Sequence, residues 1–185
     1  AEIIASVRED DMVKAVVLRV SSPGGSVLAS DKIRKELQLL KEKKPLIASY
    51  GNYAASGGYW ISAGCDYIFS DATTLTGSIG VFSLIPDFGK TVKELAHVNV
   101  TSINSNKHSD MYSGMRALDK DEIAYQQKSV EHIYDEFTGI VAEGRDLRKT
   151  YVDSIAQGRV WTGADAIKIG LVDEIGGLEA ALLKA

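Results

Sequence analysis

Ala15-Val16-Val17-Leu18-Arg19-Val20, followed at once by Ser21-Ser22-Pro23-Gly24-Gly25-Ser26, decides the fold class of this chain. The first stretch is apolar and rich in β-branched residues, the pattern of a strand buried on both faces in a parallel sheet. The second breaks the strand with Pro and Gly, and residues 30–43 then place Ile33, Leu37 and Leu40 on one helical stripe. The same strand–turn–helix unit recurs outward from there. Residues 45–50 read as a strand leading into a helix over 54–63, and residues 67–70 as a strand leading into the turn-rich Thr76-Gly77-Ser78-Ile79-Gly80-Val81. A short helical pattern over 3–13 precedes the first strand. Downstream, the spacing predicts a helix near 87–97, a strand over 98–103, a polar loop over 104–116 and a long helix over 119–143. Short helices follow at 148–156 and 163–168, strands at 159–161 and 171–172, and a last helix from Leu178. Alternation of this kind defines an α/β fold with a largely parallel sheet, in a single domain over residues 1–185.

Composition agrees. Of the 185 residues, 45% are hydrophobic and 25% charged, which excludes a disordered chain. A chain of this length buries roughly 70% of its unfolded surface, so no disulfide or metal is needed to hold a core. Cys65 is the only cysteine, and an internal bridge is impossible. The net charge of −4 gives no general attraction for nucleic acid or anionic membrane, and no apolar run approaches the length of a membrane span. The opening Ala1-Glu2-Ile3-Ile4 is neither a signal peptide nor an initiator methionine, so the chain reads as a fragment or a processed product.

Two stretches can carry chemistry. After a buried strand, Gly24-Gly25 lets backbone N–H groups face a ligand with no Cβ between, which suits a developing negative charge; the same residues also make an ordinary strand-to-helix turn. In Gly51-Asn52-Tyr53-Ala54-Ala55-Ser56-Gly57-Gly58-Tyr59-Trp60, a serine sits where strand passes to helix, the logic of a nucleophile on a tight turn. Alternatively, those residues are small because helix and sheet pack closely there. A serine nucleophile needs a base. His97 falls at a helix end, His132 within the long helix and His108 in the polar loop, none with an acid partner by spacing. Lys32, Lys35, Lys41, Lys43 and Lys44 belong to polar, solvated helical faces, and Lys107 is the lysine free to reach a site. No metal-ligand motif is present, and no cofactor is implied.

Taken with Leu75-Thr76-Gly77-Ser78-Ile79-Gly80, Gly158-Arg159-Val160-Trp161-Thr162-Gly163 and Gly170-Leu171-Val172-Asp173-Glu174-Ile175-Gly176, the two glycine-rich stretches closely resemble in order and separation the bacterial signal peptide peptidase (protease IV) family. The resemblance implies a crotonase/Clp-protease-like spiral of ββα units. It also implies a serine peptidase with Ser56 as nucleophile, Gly57 and Gly25 supplying oxyanion N–H groups, and Ser78 orienting a lysine base. Apolar cleft walls would come from around Val27-Leu28 and the turn after Ser78. The chain departs from the short members at the base: aligning Asp110 with their aspartate puts Ser109 where lysine belongs, and Lys107 lies two positions off, about 7 Å along an extended loop. That pattern, with one strand fewer at the start, resembles the carboxy-terminal half of a long, tandem member, whose lysine comes from the amino-terminal half. The implied setting is the bacterial cytoplasmic membrane, with the catalytic domain on the extracytoplasmic side and the anchor outside this chain. Implied partners are remnant signal peptides, the amino-terminal half and further copies in a ring or dome, with no nucleic acid. A non-catalytic scaffold half and a crotonase-like acyl-thioester-binding module are the competing readings.

Overall fold

The computed structural model describes all 185 residues. In chain order the elements are α1 (Glu2–Glu9), β1 (Val16–Ser22), α2 (Val27–Lys41), β2 (Leu46–Ala55), α3 (Gly57–Ser62), β3 (Tyr67–Ser70), β4 (Leu75–Gly77), α4 (Gly89–Glu94), α5 (Lys120–Gly144), α6 (Lys149–Ile155), β5 (Val160–Thr162), α7 (Gly163–Ala166), β6 (Glu174–Ile175) and α8 (Leu178–Lys184). The chain forms two compact units, Ala1–Gly80 with Tyr134–Ala185, and Val81–Ile133.

The first unit is built on a six-stranded sheet ordered β5-β4-β2-β3-β6, with β1 also paired to β2. Every pairing is parallel except β4 with β5. Strand β2 is central because Leu46, Ile47, Ala48 and Tyr50 are all buried, a run that only a doubly covered strand accommodates. On one face lie Tyr50 and Ile68, with Tyr59 of α3 set edge-on to Tyr50. Phe137 of α5 packs on Trp60 of α3 at 4.8 Å between ring centroids. On the other face, α8 brings Ala180 and Ala181 against Ile47 and Phe69, with Val17 and Tyr67 alongside.

Several expectations are corrected. Strand β1 is not buried on both faces: of its seven residues only Val20 is buried, because β1 pairs with β2 alone and its outer edge has no partner strand. The helix expected from Ala54 begins at Gly57; β4 pairs with Tyr53, Ala54 and Ala55 and holds them as strand. Residues 98–103 form no strand, since no neighbouring strand offers them hydrogen bonds. Leu171 and Val172 are buried linker, and the strand lies at β6. Lys44 is buried rather than solvated, its Nζ donating to the Val7 and Asp10 carbonyls at 2.7 and 2.5 Å and so closing the end of α1.

In the second unit, the polar loop is tied down by charge. Arg116 forks onto Asp110 (2.6 and 3.0 Å) and onto Glu122 (2.7 and 2.7 Å), while Asp119 and Glu122 form a reciprocal capping box at the start of α5 (2.8 and 2.9 Å). The Arg116 guanidinium draws the Asp110 carboxyl down to about 2 and holds buried Glu122 well below the usual carboxylate range.

Candidate active site

Ser56 stands at the hand-over from β2 to α3. Its backbone lies at φ 51, ψ −118, a conformation that a non-glycine residue holds only when its surroundings enforce it. Two bonds do so: the Ser56 N–H donates to the Gly77 carbonyl at 2.9 Å, and the Ser56 carbonyl accepts from Trp60 N–H at 2.8 Å. A serine at this position ordinarily turns its hydroxyl onto the helix N-terminus, but Ser56 makes no such cap bond. Its Oγ is therefore displayed rather than spent on the helix.

The Gly24-Gly25 turn fits against it. A Cβ at Gly24 would fall 2.7 Å from Ser56 Cβ, 2.8 Å from Gly57 N and 3.0 Å from Ser56 Oγ, and φ there is +110. Only glycine permits this approach. A Cβ at Gly57 would fall 2.5 Å from Ser30 Oγ and 3.2 Å from the Gly25 amide nitrogen, so the two amides lie on the same small region beside Ser56. Gly57 is the first residue of α3, and its N–H has no intrahelical acceptor. Gly25 precedes Ser26, which caps α2 through Ala29 N–H at 3.4 Å. Two amides beside a displayed hydroxyl are the chemical requirements of a tetrahedral oxyanion formed at that hydroxyl.

Ser78 follows Gly77, whose carbonyl holds Ser56, and sits at φ 47 with its own N–H bonded to Arg159 O at 2.8 Å. Gly158 N–H donates to Ile79 O at 2.9 Å, so the stretch around Gly158 fixes the turn carrying Ser78. The stretch around Gly170 works from behind α3. Tyr59 Oη donates to Leu171 O at 2.8 Å, Ile68 N–H donates to Asp173 Oδ2 at 2.8 Å, and buried Arg145 reaches Asp173 Oδ1 at 2.5 Å. Burial pushes the Tyr59 phenol up, so it stays a donor. Ser30 and Arg145 belong to this framework without a sequence signal: Ser30 is one serine on a helix, and Arg145 and Asp173 are far apart along the chain.

The base candidates belong to the second unit. Lys107 is exposed and paired with Asp121 at 2.8 Å and Asp119 at 3.6 Å, and the Asp121 carboxylate, with Asp119, raises its pKa. An ammonium held charged in this way is a poor proton acceptor. His108 Nδ1 lies 2.9 Å from Glu122 Oε1. His108, Asp119 and Asp121 gather within 4.8 Å, and the Lys107 ammonium is the cation on the two aspartates.

The architecture is that of the Clp-protease class. A ClpP1 point mutant from Listeria monocytogenes superposes with a TM-score of 0.62 over 98% of this chain and 88% of its own, at 15% identity, a likeness of fold. Residues 38–185 match the model of peptidase family S49, and the chain belongs to that family. Protease 4 of Haemophilus influenzae is 46% identical over the whole of this chain, which spans 30% of that relative. A putative signal peptide peptidase SppA of Enterococcus faecium is 38% identical over 97% of this chain and 52% of its own length. The chain thus spans a third to a half of the length of these relatives. No helix is long and apolar enough to cross a membrane.

Proposed function

We propose that this chain is one peptidase domain, the carboxy-terminal half of a longer serine endopeptidase that cleaves remnant signal peptides at the bacterial cytoplasmic membrane. The observation that carries the reading is Ser56: a hydroxyl on an enforced turn, with the Gly25 and Gly57 amides beside it. Ser56 Oγ adds to the scissile carbonyl carbon as its proton passes to a base. The carbonyl oxygen becomes an oxyanion facing the Gly25 and Gly57 N–H groups, and the amine leaves with the proton returned by the base. Water then hydrolyses the acyl-enzyme. The base is a lysine of the amino-terminal half of the same polypeptide, oriented by Ser78, and the charged state of Lys107 supports a source outside this chain. The catalytic domain faces the extracytoplasmic side and works within a ring or dome of copies. The names of the relatives support a protease.

The test is fluorophosphonate labelling of the 185-residue chain, alone and mixed with the amino-terminal half, with the modified serine found by mass spectrometry. Modification of Ser56 in the mixture alone is expected. Modification by the chain alone places a base within it, with His108 the first residue to replace. Modification elsewhere, or hydrolysis by the full-length Ser56→Ala variant, ends the nucleophile assignment and favours a scaffold or a thioester-binding module.

A further inference from the structure

At the end of α3 remote from Ser56, the first unit holds a cavity of about 430 Å³ that the mechanism above leaves unused. No residue of the Gly24-Gly25, Ser56 or Ser78 turns lines it. Its floor is apolar, made by Leu37 of α2, Leu46 of β2, Ile61 of α3 and Ile140 of α5, with Cys65 beside them. Cys65 is buried, and burial pushes its thiol up to about 12, so it lines the floor as a neutral group. Two glycines shape the space. An added Cβ at Gly144 would collide with the Ala63 carbonyl, so the end of α5 comes close to the end of α3 and closes one side. An added Cβ at Gly64 would meet nothing within 4 Å, so the wall next to Cys65 stands open.

The rim decides what such a floor holds. Arg34, Lys41, Glu42 and Glu143 stand there. Both cations are already engaged. Arg34 Nε and Nη2 lie 2.9 and 2.8 Å from Asp31 Oδ1, while Lys41 Nζ donates to the Gly64 carbonyl at 2.8 Å and lies 3.1 Å from Asp66 Oδ1. Glu42 and Glu143 are exposed and have neither an ion pair nor a side-chain hydrogen bond. With those partners included, two cations face four carboxylates. The backbone adds to the same sign. The last turns of α2 and α5 both border the cavity and present the negative ends of their dipoles, and no basic residue stands in the last turn of α5. An apolar floor under an unneutralised negative rim complements an apolar body that carries a positive charge, and opposes an anion. The volume lies within the roughly 300–1,000 Å³ of small-molecule sites. A stable protein interface buries roughly 800 Å² per partner, far more than one such cavity offers, which argues for a small molecule as occupant rather than a second copy.

We propose that this cavity binds a small organic cation, an amine or guanidinium on an alkyl or aryl body, with the body on Leu37, Ile61 and Ile140 and the charge at Glu42 and Glu143. The site is independent of the peptidase reading, because it shares no residue with the Ser56 machinery. The test is calorimetric titration of the full-length protein with phenylbutylamine, phenylbutanol and phenylbutyrate, three probes with one body and different head groups. The amine should bind about tenfold or more tightly than the alcohol, and the acid more weakly than either. In the double variant Glu42→Gln/Glu143→Gln, which keeps the shape and removes the charge, the advantage of the amine over the alcohol should shrink to about threefold or less. Gly64→Leu puts a side chain into the open space and should weaken amine binding by about tenfold or more. Should Gly64→Leu fail to fold, the glutamine variant decides, since both carboxylates lie on the exposed rim. Equal binding of amine and alcohol by the wild type would overturn the proposal. So would amine binding unchanged in the variants, which would put the probe elsewhere, or no amine binding at millimolar concentration.

Discussion

Gly24→Ala is the sharpest test of the site's packing. The added methyl would meet Ser56 Cβ at 2.7 Å, Gly57 N at 2.8 Å and Ser56 Oγ at 3.0 Å, on a backbone at φ +110. Holding alanine at such a φ costs about 1–3 kcal/mol, and forcing a methyl into filled space costs about 1–3 kcal/mol more. The sum, about 2–6 kcal/mol, is a large share of the roughly 5–15 kcal/mol by which a domain is stable. Part of it is relieved by the Ser56–Gly57 turn moving away, and a shift of about 1 Å at a reacting group costs about 100-fold in rate. In the full-length protein, the fluorophosphonate rate at Ser56 should fall by about 100-fold, and Tm by about 5–20 °C for a domain of this size. Gly139→Ala is the matched control. It lies in α5 with nothing within 4 Å of an added Cβ, and should raise stability by about 0.5–1 kcal/mol. If Gly24→Ala labels within about threefold of wild type with Tm unmoved, the close approach of Gly24 to Ser56 is not what positions the nucleophile.

Two further outcomes test the supports. Arg145→Ala strips the partner from Asp173 behind α3 and should cost about 3 kcal/mol in urea unfolding; a loss below about 1 kcal/mol would mean that the pair behaves as a solvated one. In the second unit, Asp110 is held down to about 2 by Arg116. A carboxyl lowered by folding contributes stability that is present above its unfolded value, near 3.9, and is lost as pH falls through the folded one. Pepsin cleavage over residues 104–116 should therefore rise between about pH 4 and pH 2, and in Arg116→Gln, which lacks the main cause of the lowering, cleavage should already be high at pH 4 and change less on acidification. Cleavage independent of pH would separate the loop from this charge network.

The fold class was legible because β2 and β3 are runs that only a covered sheet explains, and because β2 hands over to its helix through Gly57-Gly58. The misreadings share one cause. Periodicity reports what a segment prefers, whereas its partner decides what it becomes. Val98 and Val100 have strand character and no neighbouring strand; Ala54 and Ala55 have helix character and become strand because β4 lies beside them. β1 has the composition of a central strand, and its exposure follows from pairing on one side only. At the site, Ser56 and the Gly24-Gly25 turn stood out as a serine among small residues and as two adjacent glycines after a strand, patterns that close packing or an ordinary turn also explain; the roles expected of them came from the resemblance. The contacts of Ser30, Arg145 and Asp173 break no local rule and became visible only with the chain folded.

The dependence of the stretches on one another explains why each is weak alone and specific in combination. Gly24 answers to two demands, a backbone at φ +110 and a Ser56 Cβ only 2.7 Å from where its own Cβ would be. Ser56 keeps its backbone at φ 51 only while Gly77 O accepts its N–H. The turn after Gly77 is fixed in turn by Arg159 O and Gly158 N–H, and α3 is held from behind by Leu171 O. The chain spaces these five contacts over more than a hundred residues, and the parallel sheet delivers them to one end because the strands β1 and β2 finish there side by side. The strained serine is thus maintained by supports that touch neither its hydroxyl nor a substrate. Loosening any of them should lower the labelling rate of Ser56 while the sheet itself remains folded.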